Sequence, residues 1–235
     1  MQMSISVNLG KFAFPLLFGL VGSIMLVSLG IWQVQRLEWK RAILNEIALK
    51  IHAEHVPLPA YSNEATDNFL PVYVEGTVGE QSLYFLTSQR SWGPGYRVIS
   101  PLAMENRVIL LDRGFIPAHL KENHGNPDYT EAEGNLLWPN EWDKIFTPEP
   151  ENDIWFAREL ERMSMVLGTE PLMVVSKSTT NEDPNITPWP VTTEGIPNDH
   201  LQYAITWFSL AIIWIILSAY WILRISRNPR VQNEG

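Results

Sequence analysis

LQYAITWFSLAIIWIILSAYWIL, residues 201–223, decides the fold: it is uncharged and is followed at once by Arg224, Arg227 and Arg230. About 20 apolar residues in helical form cross the hydrocarbon core of a bilayer, so this run predicts a transmembrane helix. Its counterpart near the other end, FAFPLLFGLVGSIMLVSLGIW (12–32), is also free of charge. Pro15 falls in the first turn of that helix, where its missing N–H costs little. A cleaved signal peptide would carry a shorter apolar core of about 7–15 residues and a small-residue cleavage site. Here the run passes straight into WQVQRLEWKRAILNEIALK (32–50), a charged helical pattern that favours an uncleaved anchor.

The two runs face each other in chemistry. Trp207, Trp214 and Trp221 recur every seven residues and share one helix face. Gly19, Ser23 and Gly30 form a small-residue strip on the first helix. Large rings in a small-residue groove suit lipid, where van der Waals fit drives helix association. Basic residues beside a span stay cytoplasmic, so the arginines after 223 place the C-terminus inside and, with two spans, the N-terminus too. Lys11 alone precedes the first span, while Arg36, Lys40, Arg41 and Lys50 follow it. Long loops translocate largely regardless of such charge, so the second span sets the orientation. The expected division is a cytoplasmic N-terminus (1–11), a span (12–34), an external domain (35–199), a second span (200–223) and a basic cytoplasmic tail (224–235).

Composition narrows what the middle can do. Of the 235 residues 46% are hydrophobic, enough for one core, and there is no cysteine. Disulfides, thiolate metal sites and thiol nucleophiles are therefore excluded. The net charge is −9, and the segment between the runs holds 13 basic against 25 acidic residues, a net −12. Such a domain repels phosphate backbones, so nucleic acid is not its partner.

Within the domain, 33–51 continues as an amphipathic helix, and His52, His55, Pro57 and Pro59 mark a break. Four runs follow that are rich in Val, Ile, Tyr and Phe and punctuated by Gly, Pro and Asn: 71–79, 82–90, 96–103 and 107–115. They predict an antiparallel meander or small barrel. Ser91 to Gly95 and Glu105-Asn106 read as turns. Asn152 or Asp153 is placed to cap a helix running to Leu167 and ended by Gly168, with Phe156, Leu160, Met163 and Leu167 facing the core. PLMVVSK (171–177) is a further strand, and the proline-rich 180–197 an extended return. The fold class is thus a membrane protein with two transmembrane α-helices, one near each end, flanking an external α+β domain rich in antiparallel strands.

Catalytic motifs are missing: there is no G-x-S-x-G, no H-E-x-x-H and no phosphate loop. No catalytic residue is assigned, and an enzyme is not the favoured reading. His52 and His55 border a proline without a third ligand, and His119 and His124 sit in a polar loop; exposed linker histidines account for all four. Met163 and Met165, the closest thioethers for copper, turn to different helix faces. His200 differs, because it opens the second span within Pro197-Asn198-Asp199-His200-Leu201. Asn198 or Asp199 can cap that helix, and Tyr203, Ala204 and Trp207 follow on the His200 face. An imidazole above aromatic rings at the membrane edge suits haem iron and an apolar porphyrin. It equally suits a helix anchored at the headgroup level, and the residues alone leave both open. Arg90, Arg97 and Arg113 lie at strand ends near the glycine-rich turn, as propionate partners or as ordinary strand-end charges.

Five segments carry a resemblance: LGIWQVQRLEWK (29–40), GPGYRVISPL (93–102), LLDRGFIP (110–117), NDIWFARELERMS (152–164) and NDHLQYAITWF (198–208). In this order, across most of the chain, they resemble the Surfeit locus protein family of cytochrome c oxidase assembly factors, called Shy-type in fungi. Phe115 stands where the family commonly has Trp, Glu159 stands where Asp is common, and 119–150 matches loosely. The resemblance implies a role in maturing a haem-copper oxidase, where haem A enters the catalytic subunit. It implies His200 as candidate iron ligand, the one metal-binding position. Partners would be cytochrome c oxidase subunit I, the haem A synthesis machinery and membrane lipid. The competing expectation is a scaffold without cofactor that steadies an assembly intermediate. No Arg precedes Arg36, so an Arg-rich presequence is lacking and a bacterial inner membrane with a periplasmic domain is the expected location.

Overall fold

The computed structural model describes residues 10–89, 91–125, 128–194 and 196–227. The chain divides into two units, one formed by its ends (1–45 with 195–235) and one by its middle (46–194). The N-terminal apolar run and the charged pattern after it form one uninterrupted helix, α1 (Gly10–Ile51), with Pro15 near its start; its residues up to 45 belong to the first unit and 46–51 to the second. The second apolar run forms α4 (His200–Arg227), with Arg224 and Arg227 in its last turn. Both are long and apolar enough to cross a membrane.

The middle unit is a single sheet with short helices. Its elements run β1 (Val56–Pro57), α2 (Glu64–Asp67), β2 (Pro71–Val78), β3 (Leu83–Gln89), β4 (Gly93–Ala103), β5 (Val108–Pro117), β6 (Thr130–Leu137), β7 (Ile154–Trp155), α3 (Leu160–Leu167) and β8 (Met173–Thr179). The order is β1-β2-β6-β8-β5-β4-β3-β7, and an added β2–β4 pairing closes five strands into a ring. The expected small barrel is therefore realised, and closure removes the edges of those five strands. The sheet is mixed, since β1–β2, β3–β7 and β5–β8 pair in parallel.

Each strand's pattern follows from what covers it. In β2 the burial alternates from Val72 onward, with Val72, Val74 and Val78 inward and Tyr73 and Glu75 in solvent. Strand β5 reads VILLDRGFIP, an almost unbroken buried run, because both of its faces are covered, as in parallel sheets. Ile109 and Leu111 join Val72, Val74, Leu102 and Val174 in one core cluster. Leu110, on the opposite face, joins Leu83, Phe85, Ile99, Met173 and Trp155 in a second, under Leu160 and Met163 of α3.

Two departures from the sequence reading have physical causes. The helix expected from Asn152 or Asp153 starts at Leu160, with Glu159 as its N-cap, and ends as expected at Gly168 in the left-handed conformation. Asn152 sits at φ 58, and Ile154 and Trp155 pair with β3 instead. Pairing buries Trp155 and, beyond it, Ala157, whereas Phe156 joins neither main core cluster. Strand β5 also carries an irregularity: Val98 pairs with Gly114 and Ile99 with Asp112, leaving Arg113 as an extra residue. A bulge of this kind re-aims a side chain, and Arg113 is turned into a buried position.

Candidate functional site

The helices of the first unit meet over small residues, as the sequence pattern suggested, but both helices supply them. Ala204 and Ala211 of α4 are buried, and Ser218 continues their seven-residue spacing. Opposite, a Cβ built on Gly22 would fall 2.3 Å from the Trp214 ring, one on Gly30 2.6 Å from the Phe208 ring, and one on Gly19 2.9 Å from Ser218. Trp214 Nε1 donates to the Gly19 carbonyl at 3.2 Å, and the ring lies 4.9 Å from that of Phe18. The mid-helix tryptophan is thus a packing residue with its one polar atom satisfied. Trp221 lies edge-on to Phe14 at 6.3 Å.

At the His200 end the seam turns polar. Gln33 is only 8% exposed, and its Oε1 lies 2.8 Å from His200 Nδ1. An amide oxygen only accepts, so this hydrogen bond calls for Nδ1 as its donor. One turn beyond buried Leu37, Lys40 Nζ donates to the carbonyl of Pro197. Asn198 Oδ1 is buried without a hydrogen-bond partner, so that oxygen does not cap α4. The Asp199 carbonyl instead accepts from Tyr203 N, the first bond of the helix. Tyr203 is exposed and Trp207 half-buried.

The arginines belong to the other unit. Arg97 donates from Nε to Asp112 Oδ2 at 2.7 Å and from Nη2 to the Trp189 carbonyl at 2.6 Å, with its guanidinium 4.7 Å above the Trp189 ring. Asp112 is fully buried. It also meets Arg158 Nη1 at 3.6 Å and accepts from Gly114 N at 3.1 Å. Arg113 donates to the Gly125 carbonyl at 2.8 Å and lies 3.7 Å from Asp183. Burial pulls the Arg113 guanidinium below its ordinary value, with Asp183 opposing. Arg97 and Arg113 therefore each face a carboxylate of this chain. Arg90 lies outside the described residues. Sequence reading singled out neither Gln33, Lys40, Asp112 nor Arg158. Asp112 carried a signal, as a charged residue inside an otherwise apolar strand whose neighbours are buried; Gln33 showed only as a polar residue just after an uncharged apolar run.

Glu141 completes the charge chain, accepting from Arg158 N and Nε at 3.1 Å. Burial alone would raise its carboxyl, but the Arg158 hydrogen bonds and charge outweigh burial and hold it below the ordinary glutamate value. A group depressed in the folded state contributes stability above the unfolded pKa, about 4.3 for glutamate, and loses it as pH falls through the lower folded value. Thermal melts of the wild type between about pH 5 and 3 should fall more steeply than those of Glu141→Gln. Parallel curves would remove Glu141 from the acid response.

Two helices of membrane-spanning length and composition, one near each end of the chain, with a closed, charge-stitched barrel between them in sequence, define the class, and among the described residues no cluster of three metal-ligating side chains accompanies them. The model of the SURF1 family matches residues 20–212, and the chain belongs to that family, one of cytochrome c oxidase assembly factors. Surfeit locus protein 1 of Rattus norvegicus is 30% identical over 213 residues, covering 77% of this chain and 67% of the rat protein. The Homo sapiens protein of the same name is 29% identical over 212 residues, 78% of this chain and 69% of its own. A SURF1-like protein of Rickettsia conorii is 29% identical over 208 residues, 80% and 82% respectively.

Proposed function

We propose that this chain is a non-enzymatic assembly factor of a bacterial inner membrane that holds haem A and hands it to subunit I of a haem-copper oxidase. The observation that carries this reading is the Gln33–His200 pair. A haem-ligating imidazole needs one nitrogen with a lone pair, and its other N–H is ordinarily held by an acceptor. His200 Nδ1 has that acceptor at 2.8 Å, which leaves Nε2 for iron. The half-buried imidazole opens an apolar helix, with Tyr203 and Trp207 within its first two turns. The donor set fits one axial ligand for an apolar macrocycle bound as cargo. Arg97 and Arg113 already face Asp112 and Asp183, so those two would serve propionates only by sharing. Arg224 and Arg227 in the last turn of α4 support a cytoplasmic C-terminus and a periplasmic barrel.

Protein purified in detergent from cells making haem A should give a haem A signal in its pyridine haemochrome spectrum, and His200→Ala should lose most of it. An unchanged spectrum in the variant would refute His200 as ligand. The pairing of Arg97 and Arg113 with their own carboxylates favours a second reading, a scaffold without cofactor. It predicts co-purification with subunit I and no haem signal in either protein.

A further inference from the structure

We infer that Gln33 is the positioning residue that fixes the tautomer of His200 and sets how firmly the histidine grips an iron porphyrin, an inference that rests on the haem-handling reading. An amide in a packed apolar seam is costly to bury unless it is hydrogen-bonded. Along α1 the buried positions near this end are Gly30, Gln33 and Leu37, so Gln33 is the one polar side chain among them. Its carbonyl oxygen meets the His200 ring from 167 residues away in sequence. A histidine merely anchoring a helix at a bilayer surface would need no such partner, because water would serve.

A second bracket holds the same place. Lys40 stands seven residues beyond Gln33, on the same helix face, and donates to the Pro197 carbonyl three residues before His200. The ring is thus held by Gln33 and the backbone leading to it by Lys40, which fixes where Nε2 points.

The partner's chemistry sets the strength of the ligand. A carboxylate in place of the amide would draw the Nδ1 proton and make Nε2 a stronger donor. An amide accepts the bond without negative charge, so Nε2 remains a moderate donor, as a carrier that must release its load requires. Gln33→Glu should hold an iron porphyrin more tightly than the wild type, and Gln33→Leu more weakly.

The test uses the full chain in detergent micelles, prepared without haem and labelled with 15N-histidine. At a pH where the imidazole is neutral, His200 should show a protonated Nδ1 and a bare Nε2. Gln33→Leu should mix or reverse that pattern, and Gln33→Glu should restore it. Haemin titration followed by the Soret band then reads affinity. Gln33→Leu should bind about 10- to 100-fold more weakly, the range for losing such an outer partner, with Gln33→Glu at or above the wild type. A protonated Nε2 in the wild type, or the same tautomer in wild type and Gln33→Leu, would overturn the inference, as would unaltered haemin affinity in Gln33→Leu. If His200→Ala binds haemin as the wild type does, the haem reading fails, while the tautomer result still reports on Gln33.

Discussion

Asp112→Asn should destabilise the barrel by about 3–5 kcal/mol, the cost of breaking a buried ion pair by removing one partner. The carboxylate is fully buried between two guanidiniums, Arg97 at 2.7 Å and Arg158 at 3.6 Å. Both arginines are themselves mostly covered, with side chains 12% and 17% exposed. Asparagine keeps the shape and can still accept from Gly114 N, but its NH2 group would point a donor at a donor and leave Arg97 without its counter-ion, while Arg158 keeps only Glu141. Against a typical total of about 5–15 kcal/mol, that loss leaves little folded barrel under mild denaturant. Urea titration followed by the fluorescence of buried Trp155 would measure it. The control is Glu170→Gln, which removes the half-exposed partner of Arg107 and should cost about 1 kcal/mol or less. A loss below about 1 kcal/mol in Asp112→Asn would remove Asp112 from its central place.

Gly114→Ala should cost at least about 2 kcal/mol and free the segment that crosses β5. Gly114 sits at φ +120, where side chains are strained, and a Cβ there would lie 2.2 Å from the Thr187 carbonyl oxygen. The obstacle is backbone, so no rotamer change relieves it. Phe115 and Thr187 exchange two hydrogen bonds of 2.8 Å at this point. Moving Thr187 carries Trp189 away from Arg97, Phe115 and Trp92. Limited proteolysis should therefore cut Gly114→Ala within 180–194 at a protease level the wild type resists. Gly93 is the comparison: it also has a positive φ, but nothing lies within 4 Å of an added Cβ, so alanine there should meet only backbone strain. Equal proteolysis of wild type and Gly114→Ala would sink the expectation.

The architecture was legible wherever the signal is local and periodic. Both long helices, four of the five ring strands (β2, β4, β5 and β8) and the Gly168 stop follow from runs and spacing, whereas β6 lies in a polar stretch that the sequence reading does not assign as a strand. The packing of Trp214 on the glycine strip followed from a seven-residue repeat, although Ala204, Ala211 and Ser218 show that α4 supplies small residues as well. What stayed hidden depends on partners far apart in sequence. Nothing local says that β8 lies parallel to β5, that Ile154 and Trp155 leave the expected helix to pair with β3, or that Gln33 meets His200. The arginines were read at strand ends without their partners, although Asp112 stands beside Arg113 in the same segment. A bulge turns those neighbours apart, one toward Arg97 and the other toward Asp183, and no spacing rule announces a bulge.

Closure of the ring has a consequence for synthesis. Strand β8 is the last of the eight to leave the ribosome, and it inserts between β5 and β6. Until residue 179 has emerged, those two strands carry raw, unpaired edges, the state most prone to association with other chains. A product truncated anywhere before Met173 is accordingly an open sheet destined for quality control, whatever functional residues it retains.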